Sequence, residues 1–317
     1  MKFIKPKILI SKCLEFEACR YDGQIINNKY IEKLKNYIDF LPICPEVEIG
    51  MDIPRDTVRL IKGKNTLGKK LFQPNTKKYF TNKMNSFSKK YLNQINTIDG
   101  FILKSNSPSC GINTAKIYPK TGNVAAEGHG SGLFTSHILS MFPYHPKEEE
   151  KRLNNVFIRE HFYTSVFSIA DFRNVNNVDS LYKYHAKHKY LFMSYNQLLM
   201  REMGKIAASS NKKNIEFTIV KYHKALLKIF GRKSRIPSNI NTHMHVMGYF
   251  KKMLSHKEKM HFLDILEQYK NKKIPISSVN SVLISWVNRF GNKYLEKQSF
   301  FHPFPLGLIE EEKSRFI

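Results

Sequence analysis

The chain has 317 residues and a mass of 37.1 kDa, enough for one large or two ordinary domains with a buried core. Apolar residues make up 42% of it and aromatic residues 13%, which excludes a disordered chain. Its 52 lysines and arginines stand against 26 acidic residues, giving a formal net charge of +26. A charge of this size attracts polyanions, so nucleic acid is the first partner class to consider.

The positive charge comes mainly from 41 lysines, with only 11 arginines. Asparagine and isoleucine are also abundant, which is typical of AT-rich coding, so charge alone does not establish a nucleic-acid partner. The first ten residues lack an apolar run of signal-peptide length, and no stretch approaches the length of a membrane span. We therefore expect a cytoplasmic protein without a membrane partner and without an obligate protein partner.

The first half of the chain alternates short apolar runs with helical periodicity. The pattern predicts three strands, at Lys7–Ser11, Phe40–Ile43 and Thr97–Lys104, and two helices, at Tyr30–Phe40 and Gly132–Phe142. Alternation of this kind is typical of an α/β domain built on a parallel sheet.

All four cysteines lie in the first 110 residues, and three of them follow predicted strands. Cys13, Cys44 and Cys110 each come just after a strand end, while Cys19 lies six residues beyond Cys13. Ligands of open α/β sheets bind at the carboxyl ends of the strands, so three thiols could meet there. Three unrelated buried cysteines are an equally good interpretation from spacing alone. In a reducing compartment, clustered cysteines hold metals or do chemistry more often than they form disulfides.

Residues 57–98 contain ten basic residues and no acidic residue between Asp56 and Asp99. Aromatic residues are interleaved with them, so this segment could follow a phosphate backbone and stack on bases. The alternative is a helical insertion with a solvated basic face and its aromatics in the core. The candidate RNA contacts here are Arg55, Arg59, Lys69, Lys70, Lys77 and Lys78. Arg55 and Arg59 have a structural alternative, an ion pair with Asp52 or Asp56.

A boundary is predicted near residue 150, dividing the chain into an α/β domain at 1–150 and a basic all-α domain at 151–317. The later part holds 29 basic and 12 acidic residues, a net charge of +17. Its periodicity predicts helices at 155–167, 179–195, 196–209, 215–231, 243–253, 257–270 and 278–290. A basic stripe that could bind RNA runs along the fourth of these and just past it, formed by Lys221, Lys224, Lys228, Arg232 and Lys233.

Two further patterns have unremarkable interpretations. His185 and His188 share a helix stripe with apolar residues, which favours a hydrogen-bonded packing role over a zinc site, since no cysteine or carboxylate pair completes the ligand set. Gly128–Gly132 lacks both the P-loop ending and the dinucleotide fingerprint, so we interpret it as a turn into a helix.

Three motifs resemble one enzyme family. The segments that carry the likeness are Ile10–Leu14 with Cys19–Gly23, Pro42–Gly50 with Pro54–Arg55, and Lys104–Gly111. In this order they resemble the thiouracil desulfidases (TudS), over about the first 145 residues. One departure is at Glu15–Glu17, where the family usually carries a glycine two residues after Leu14.

The resemblance implies a 4Fe-4S cluster held by Cys13, Cys44 and Cys110, with one iron open. The sulfur of a thiolated uracil would bind this iron and leave as sulfide through a 4Fe-5S species, without net redox change. Glu46 would act as general acid or base, and Ser107 or Ser109 would orient the substrate. Cys19 is either a packing thiol or a further ligand.

The second half resembles the helical domain appended to the two-domain desulfidases (RudS) that act on 4-thiouridine in tRNA. The segments that carry this likeness are Glu149–Leu153, Ile158–Phe162, Tyr184–Leu191, His245–Phe250 and Tyr294–Gln298 ahead of Pro303–Pro305. We therefore expect a tRNA 4-thiouridine desulfidase. The alternatives are a desulfidase of free 2-thiouracil or thionucleosides, and a non-catalytic RNA-binding protein with a structural metal.

Overall fold

A computed structural model describes residues 3–63 and 68–309, and it divides the chain into two compact units. The first unit is Ile4–Val166, and the second runs from Phe167 onward. The helix that carries this division is Val156–Phe172, so the compact units separate about sixteen residues after the boundary at 150 expected from the sequence. None of the described helices is both long enough and apolar enough to cross a bilayer.

The first unit is built on a four-stranded parallel sheet in the order β2-β1-β6-β9. Its strands are β1 (Lys7–Ser11), β2 (Asp39–Ile43), β6 (Gly100–Leu103) and β9 (Lys147–Glu149). Four of the five residues of β1 and all four of β6 are buried, as the apolar runs require for central parallel strands. The predicted α/β class with a parallel sheet is therefore confirmed.

The helices of this unit are α1 (Lys29–Leu34), α2 (Pro45–Glu48), α3 (Thr81–Asn93) and α4 (Leu133–Met141). Helix α1 begins at the Asn28 side chain, which accepts from the backbone N–H groups of Tyr30 and Ile31, and it is shorter than the predicted helix at 30–40. Helix α4 follows the prediction to within one residue at each end.

The segment 57–98 differs most from expectation, apart from residues 64–67, which lie outside the described residues. It forms three strands and one helix instead of a helical insertion. The strands β3 (Arg59–Lys62), β4 (Lys69–Gln73) and β5 (Lys78–Tyr79) join β7 (Ala115–Tyr118) and β8 (Gly128–Gly130) in a second, mixed sheet of order β5-β4-β3-β7-β8. The segment Gly128–Gly132, predicted as a turn into a helix, therefore begins with a strand at Gly128–Gly130.

The interleaved aromatics of this segment mostly lie in or against the core, as the alternative interpretation expected. Phe72 is buried, and the rings of Phe87 and Tyr91 stack at 5.5 Å and pack against Phe134 of α4. Tyr79 is the exception, with an exposed ring. The alternating aromatic and basic residues reflect a sheet and helix with one buried face.

The second unit is helical, as predicted. Its helices are the end of α5 (Val156–Phe172), then α6 (Val178–Tyr195), α7 (Gln197–Ala208), α8 (Ile215–Ile229), α9 (Ile236–Met247), α10 (His256–Lys270), α11 (Ile276–Phe290) and α12 (Lys293–Glu296). The predicted helix at 243–253 is displaced, because Pro237 occupies the first turn of a helix that begins at Ile236. Side-chain caps at Asn177 and Ser255 form capping boxes that fix the starts of α6 and α10.

The N-terminus of α4 is fastened to the loop that carries Cys110. Gly132 N–H donates to the carbonyl of Gly111 at 2.9 Å, and Leu133 N–H donates to that of Pro108 at 3.1 Å. The first N–H groups of a helix have no partner within it, so these bonds satisfy the helix and position the loop at once. A Cβ at Gly132 would lie 2.3 Å from the Ser109 carbonyl carbon, closer than any tolerated contact.

We expect Gly132→Ala to destabilise the protein by about 1–3 kcal/mol, because backbone atoms of the Cys110 loop must move to admit the methyl group. Gly128→Ala is the matched control, since nothing lies within 4 Å of a Cβ there. Denaturant unfolding of both variants measures the difference. Equal midpoints would contradict the packing described here.

Candidate active site

All four cysteines line one cavity of about 440 Å³ at the carboxyl edge of the parallel sheet. Cys13 follows β1, Cys44 follows β2, and Cys110 lies in the loop after β6. Cys19 reaches the same cavity from the loop between β1 and α1. The parallel register places the ends of these strands side by side, and this brings together residues up to 97 positions apart.

Cys44 occupies the N-cap position of α2. A hydrogen bond from the Cys19 thiol lowers the pKa of Cys44 to about 7, although burial alone would raise it, and the backbone N–H of Val47 acts in the same direction. The same bond raises the pKa of Cys19. Of these two thiols, Cys44 is thus the one poised as a thiolate near neutral pH.

Cys13 and Cys110 are held differently. Burial raises the pKa of Cys13 to about 12 and that of the Cys110 thiol well above its ordinary value. Both are therefore neutral thiols at neutral pH unless a positive centre binds them.

The loop that carries Cys110 is fixed by its own side chains. The hydroxyl of Ser107 accepts hydrogen bonds from the backbone N–H groups of Ser109, at 3.2 Å, and Cys110, at 3.0 Å. The Thr135 hydroxyl of α4 donates to the Cys110 carbonyl at 2.7 Å. Ser107 lines the cavity but uses its oxygen to shape the turn, whereas Ser109 is buried behind the wall.

Two carboxylates at the end of the predicted α/β domain, to which the sequence analysis gave no role in the site, anchor this loop. Glu150 accepts from the backbone N–H and hydroxyl of Ser105, each at 2.7 Å, and from Lys104 at 2.8 Å. Glu149 accepts from the backbone N–H of Ile112 at 2.6 Å and from the Thr114 hydroxyl. Both carboxylates are buried, and both belong to the first unit. The acidic run Glu148–Glu150, in an otherwise basic chain, was the available signal in the sequence.

Glu46 lies on α2 and lines the cavity. Its Oε1 accepts from the Ser109 hydroxyl at 2.8 Å, and its Oε2 accepts from Arg55 Nη2 at 2.6 Å and Nε at 3.0 Å. Charge-assisted pairs of this kind fix both position and orientation. Of the two serines predicted as alternatives, Ser109 therefore contacts the proposed acid or base.

Arg55 forms an ion pair, but with a partner other than those expected. Its side chain is 5% exposed and pairs with Glu46, while Asp52 offers only its backbone carbonyl, at 3.3 Å. Arg55 Nη1 also donates to the Cys19 carbonyl at 3.1 Å. The expected pairing with Asp52 or Asp56 carboxylates is thus wrong, and Arg55 links Glu46 to the loop of Cys19.

The loop after Cys13 holds one residue in an uncommon backbone conformation. Glu15 adopts a left-handed conformation with φ of 68°, which favours glycine. Its carboxylate accepts from the backbone N–H of Asn28 and from Lys35, and these contacts hold the loop in place.

The other candidate RNA contacts are dispersed in the first unit. Lys69 is directed inward, where its ammonium donates to the Ser131 carbonyl and to Ser136. The Arg59 guanidinium lies over the Tyr118 ring at 4.8 Å. Lys70, Lys77 and Lys78 are exposed on the second sheet and its turn. In the second unit, all five residues of the predicted basic stripe are exposed.

The packing role predicted for the histidines of α6 is confirmed. His188 is buried, with one ring nitrogen 2.8 Å from Asp171 Oδ2 and the other 2.7 Å from the Ser299 hydroxyl. His185 Nδ1 lies 2.9 Å from the Tyr222 hydroxyl. Both rings therefore serve the core of the helical unit.

Across residues 3–63 and 68–309, no three His, Cys, Asp or Glu side chains are placed to share a single metal ion. A four-iron cluster makes a different demand, because each of its cysteine ligands binds a separate iron. The cavity brings four thiols together, and thiolates are the ligands that iron–sulfur clusters take.

The low pKa of Cys44 predicts selective alkylation of the reduced, metal-free protein. The thiolate is the reactive form, so labelling of Cys44 should rise through pH 7, while Cys13, with a pKa of about 12, stays unlabelled. Cys19→Ala removes the hydrogen-bond donor and should move the Cys44 profile to higher pH. Peptide mass spectrometry after iodoacetamide pulses measures both profiles, and an unmoved profile in the variant would contradict the assigned cause.

Comparison with known proteins places these features in a family. Residues 8–150 match the family model described as 2-thiouracil desulfurase, and residues 189–305 match one described as Protein of unknown function (DUF1722). The uncharacterized protein YbbK of Bacillus subtilis (strain 168) is 33% identical over 112 residues, which cover 33% of this chain and 72% of YbbK. The uncharacterized protein YbgA of Escherichia coli (strain K12) is 20% identical over 127 residues, or 40% of this chain and 75% of YbgA.

Among solved structures, a 4Fe-4S-dependent thiouracil desulfidase, TudS, has 26% sequence identity and a TM-score of 0.37, with 47% of this chain and 94% of that chain covered. The match of the cysteine-bearing unit and the identity to YbbK assign the first part of the chain, and the second match assigns the helical part. The chain belongs to the thiouracil desulfidase family, which is a family of enzymes, and carries a DUF1722 domain after its desulfidase domain.

Proposed function

We propose that this chain is a 4Fe-4S-dependent desulfidase that converts 4-thiouridine in tRNA to uridine and releases sulfide, without net redox change. The observation that carries the proposal is the cavity in which Cys13, Cys44 and Cys110 meet beside Glu46. The family match supports the reaction class.

The residues present fit a three-cysteine cluster. Each of the three thiols comes from the end of a different strand, and the two that are neutral when unliganded, Cys13 and Cys110, gain a positive partner when iron binds them. When bound, such a cluster supplies one iron without a protein ligand, a Lewis acid for the sulfur of a thiocarbonyl. Cys19 is engaged with Cys44 and with the Arg55 loop, which favours a supporting role for it.

Glu46 is the group placed to move protons in this cavity. Its carboxylate is held at Oε1 by Ser109 and at Oε2 by Arg55, so it presents a fixed face to the cavity. From there it can take a proton from the attacking water or supply one to the ring nitrogen of the base. Arg55 and Ser109 act through Glu46 and are positioning residues.

Charge supports a nucleotide over a free base. Of the cations that line the cavity, Lys12, Lys104 and Arg55 are paired with carboxylates, whereas Lys151 is exposed. A free thiouracil carries no phosphate for Lys151 to contact, whereas a nucleotide does. In the second unit, Lys221, Lys224 and Lys228 lie exposed on one face of α8, with axial spacings of about 4.5 and 6 Å, followed by exposed Arg232 and Lys233.

We expect Glu46→Gln to retain the absorbance of the reconstituted cluster and to lose turnover by at least about 100-fold, because the amide cannot exchange the proton. Glu48→Gln is the control, since Glu48 lies on the same helix but is exposed. Anaerobic sulfide release, measured beside the visible spectrum, separates the two effects. Unchanged turnover in Glu46→Gln would remove Glu46 from the mechanism.

The tRNA substrate is tested with thiolated tRNA, the free nucleoside 4-thiouridine and free 2-thiouracil. We expect the triple variant Lys221→Gln, Lys224→Gln, Lys228→Gln to lose kcat/KM on tRNA and to keep activity on the nucleoside. The slope of log Kd for tRNA against log salt should fall by about 2, because three phosphate contacts are removed. Glutamine at Lys257, Lys270 and Lys273, all exposed on α10 or just after it, gives the same change in net charge as a control.

The outcomes of this test are distinct. Sulfide release from free 2-thiouracil alone would replace tRNA by the free base as substrate. RNA binding without sulfide release from any substrate, in protein with an intact cluster absorbance, would instead indicate a non-catalytic RNA-binding protein.

A further inference from the structure

Three tyrosines from separate segments of the helical unit form a compact cluster at its surface. Tyr190 lies on α6, Tyr249 lies in the 3-10 turn Gly248–Phe250, and Tyr294 lies on α12. Their ring centroids are 6.1, 6.3 and 6.1 Å apart, an almost equilateral triangle. Each belongs to one of the sequence segments that carry the likeness to the two-domain desulfidases.

Two of the rings are open to solvent and nearly parallel. Tyr249 is 41% exposed and Tyr294 is 36% exposed, with 27° between their planes. Tyr190 is buried beneath them, almost perpendicular to the Tyr249 ring, and its hydroxyl lies 2.8 Å from the Tyr249 hydroxyl. The cluster therefore exposes parts of two nearly parallel rings over a buried third ring.

The support is rigid. Phe250, next to Tyr249, and Leu295, next to Tyr294, are fully buried, so the backbone on which each exposed ring stands is anchored in the core. A surface that is already ordered binds a ligand without the entropic cost of fixing its side chains.

The charge around the cluster decides which ligand it suits. A triangle of aromatic rings can hold an alkylated ammonium group by cation–π attraction. Here, however, the three segments 189–191, 245–252 and 293–297 carry five lysines and one glutamate. The Lys189 ammonium already lies 5.8 Å from the centre of the Tyr190 ring, and Lys251, Lys252, Lys293 and Lys297 are exposed. This environment repels a cationic ligand and attracts an aromatic group carried on a polyanion.

We propose that Tyr249 and Tyr294 form a stacking platform for an unpaired base of RNA, with the neighbouring lysines contacting the phosphates on either side. Base stacking on aromatic side chains tolerates any sequence, which fits an enzyme that must hold many tRNAs. The proposal rests on the proposed function, in that it takes RNA as the ligand of the helical unit. It adds a site made of residues other than those of the cysteine cavity and of the lysine stripe of α8.

The test uses the full chain with its cluster reconstituted, a short fluorescein-labelled single-stranded RNA, and thiolated tRNA. We expect the double variant Tyr249→Leu, Tyr294→Leu to raise the Kd for the single-stranded RNA about tenfold or more. The slope of log Kd against log salt should stay unchanged, because the variant removes no phosphate contact. Sulfide release from free 4-thiouridine should equal that of the wild type.

Two controls make the result specific. Tyr249→Phe keeps the ring and should keep the affinity for RNA, although it loses the hydroxyl contact with Tyr190. Tyr182→Leu removes another exposed tyrosine of α6 and should leave the Kd unchanged. The single variant Tyr294→Leu, which preserves the contact between Tyr190 and Tyr249, is measured in case the double variant unfolds, and it should raise the Kd in the same sense.

Wild-type Kd in both the Tyr294→Leu variant and the folded double variant would overturn the platform while leaving the proposed function intact. A wild-type protein that releases sulfide from free 4-thiouridine but binds no RNA would overturn the tRNA substrate and the platform together. If a trimethyllysine peptide binds the platform and RNA does not displace it, the platform is a cation site, and the assignment to RNA is overturned.

Discussion

Parallel pairing of β1 with β2 on one side and β6 on the other is the constraint on which the candidate site depends. Because the three strands run in the same direction, their carboxyl ends share one edge, and the residues that follow them share one cavity. Burial of β1 and β6 keeps that register, since a shift by one residue would carry the exposed Lys7 into the buried part of the sheet. The meeting of Cys13, Cys44 and Cys110 is thus a consequence of sheet topology.

The topology brings the cysteines together, but charged side chains hold their loops. Glu150 accepts hydrogen bonds from Ser105 and Lys104 at the start of the Cys110 loop. Glu149 accepts one from the backbone of Ile112 at the far end of the loop. Arg55 joins Glu46 to the loop of Cys19. Burying a carboxylate without hydrogen-bond donors carries a large cost in free energy. Each of these carboxylates therefore needs donors from a loop, and its hydrogen bonds hold that loop in place. The apolar sheet therefore positions the strand ends, and polar contacts between the loops shape the cavity.

The sequence predicted the elements with strong periodicity and the residues at strand ends, for physical reasons. Lys7–Ser11 and Gly100–Leu103 are continuous apolar runs, and amphipathic helices such as α6 and α8 repeat every three to four residues. The second sheet was missed because β3, β4 and β5 are short and contain several lysines, without the apolar alternation that marks a strand. The role of Glu149 and Glu150 in holding the Cys110 loop was missed because their partners, Ile112 and Ser105, are distant in sequence. Whether Ser107 or Ser109 faces Glu46 depends on the turn itself, which no local pattern encodes.

The two units differ in how their positively charged side chains are placed. In the first unit, the cations nearest the cavity are mostly paired, as Arg55 is with Glu46 and Lys104 with Glu150, so they orient neighbouring groups. In the second unit, the lysines of α8 stand exposed on one face, where their field extends into solvent. Paired, buried charges give fixed geometry at the cost of long-range attraction, whereas exposed charges give attraction with little geometric precision. An enzyme acting on one atom of a large polyanion needs both, and these two arrangements occur on separate units of this chain.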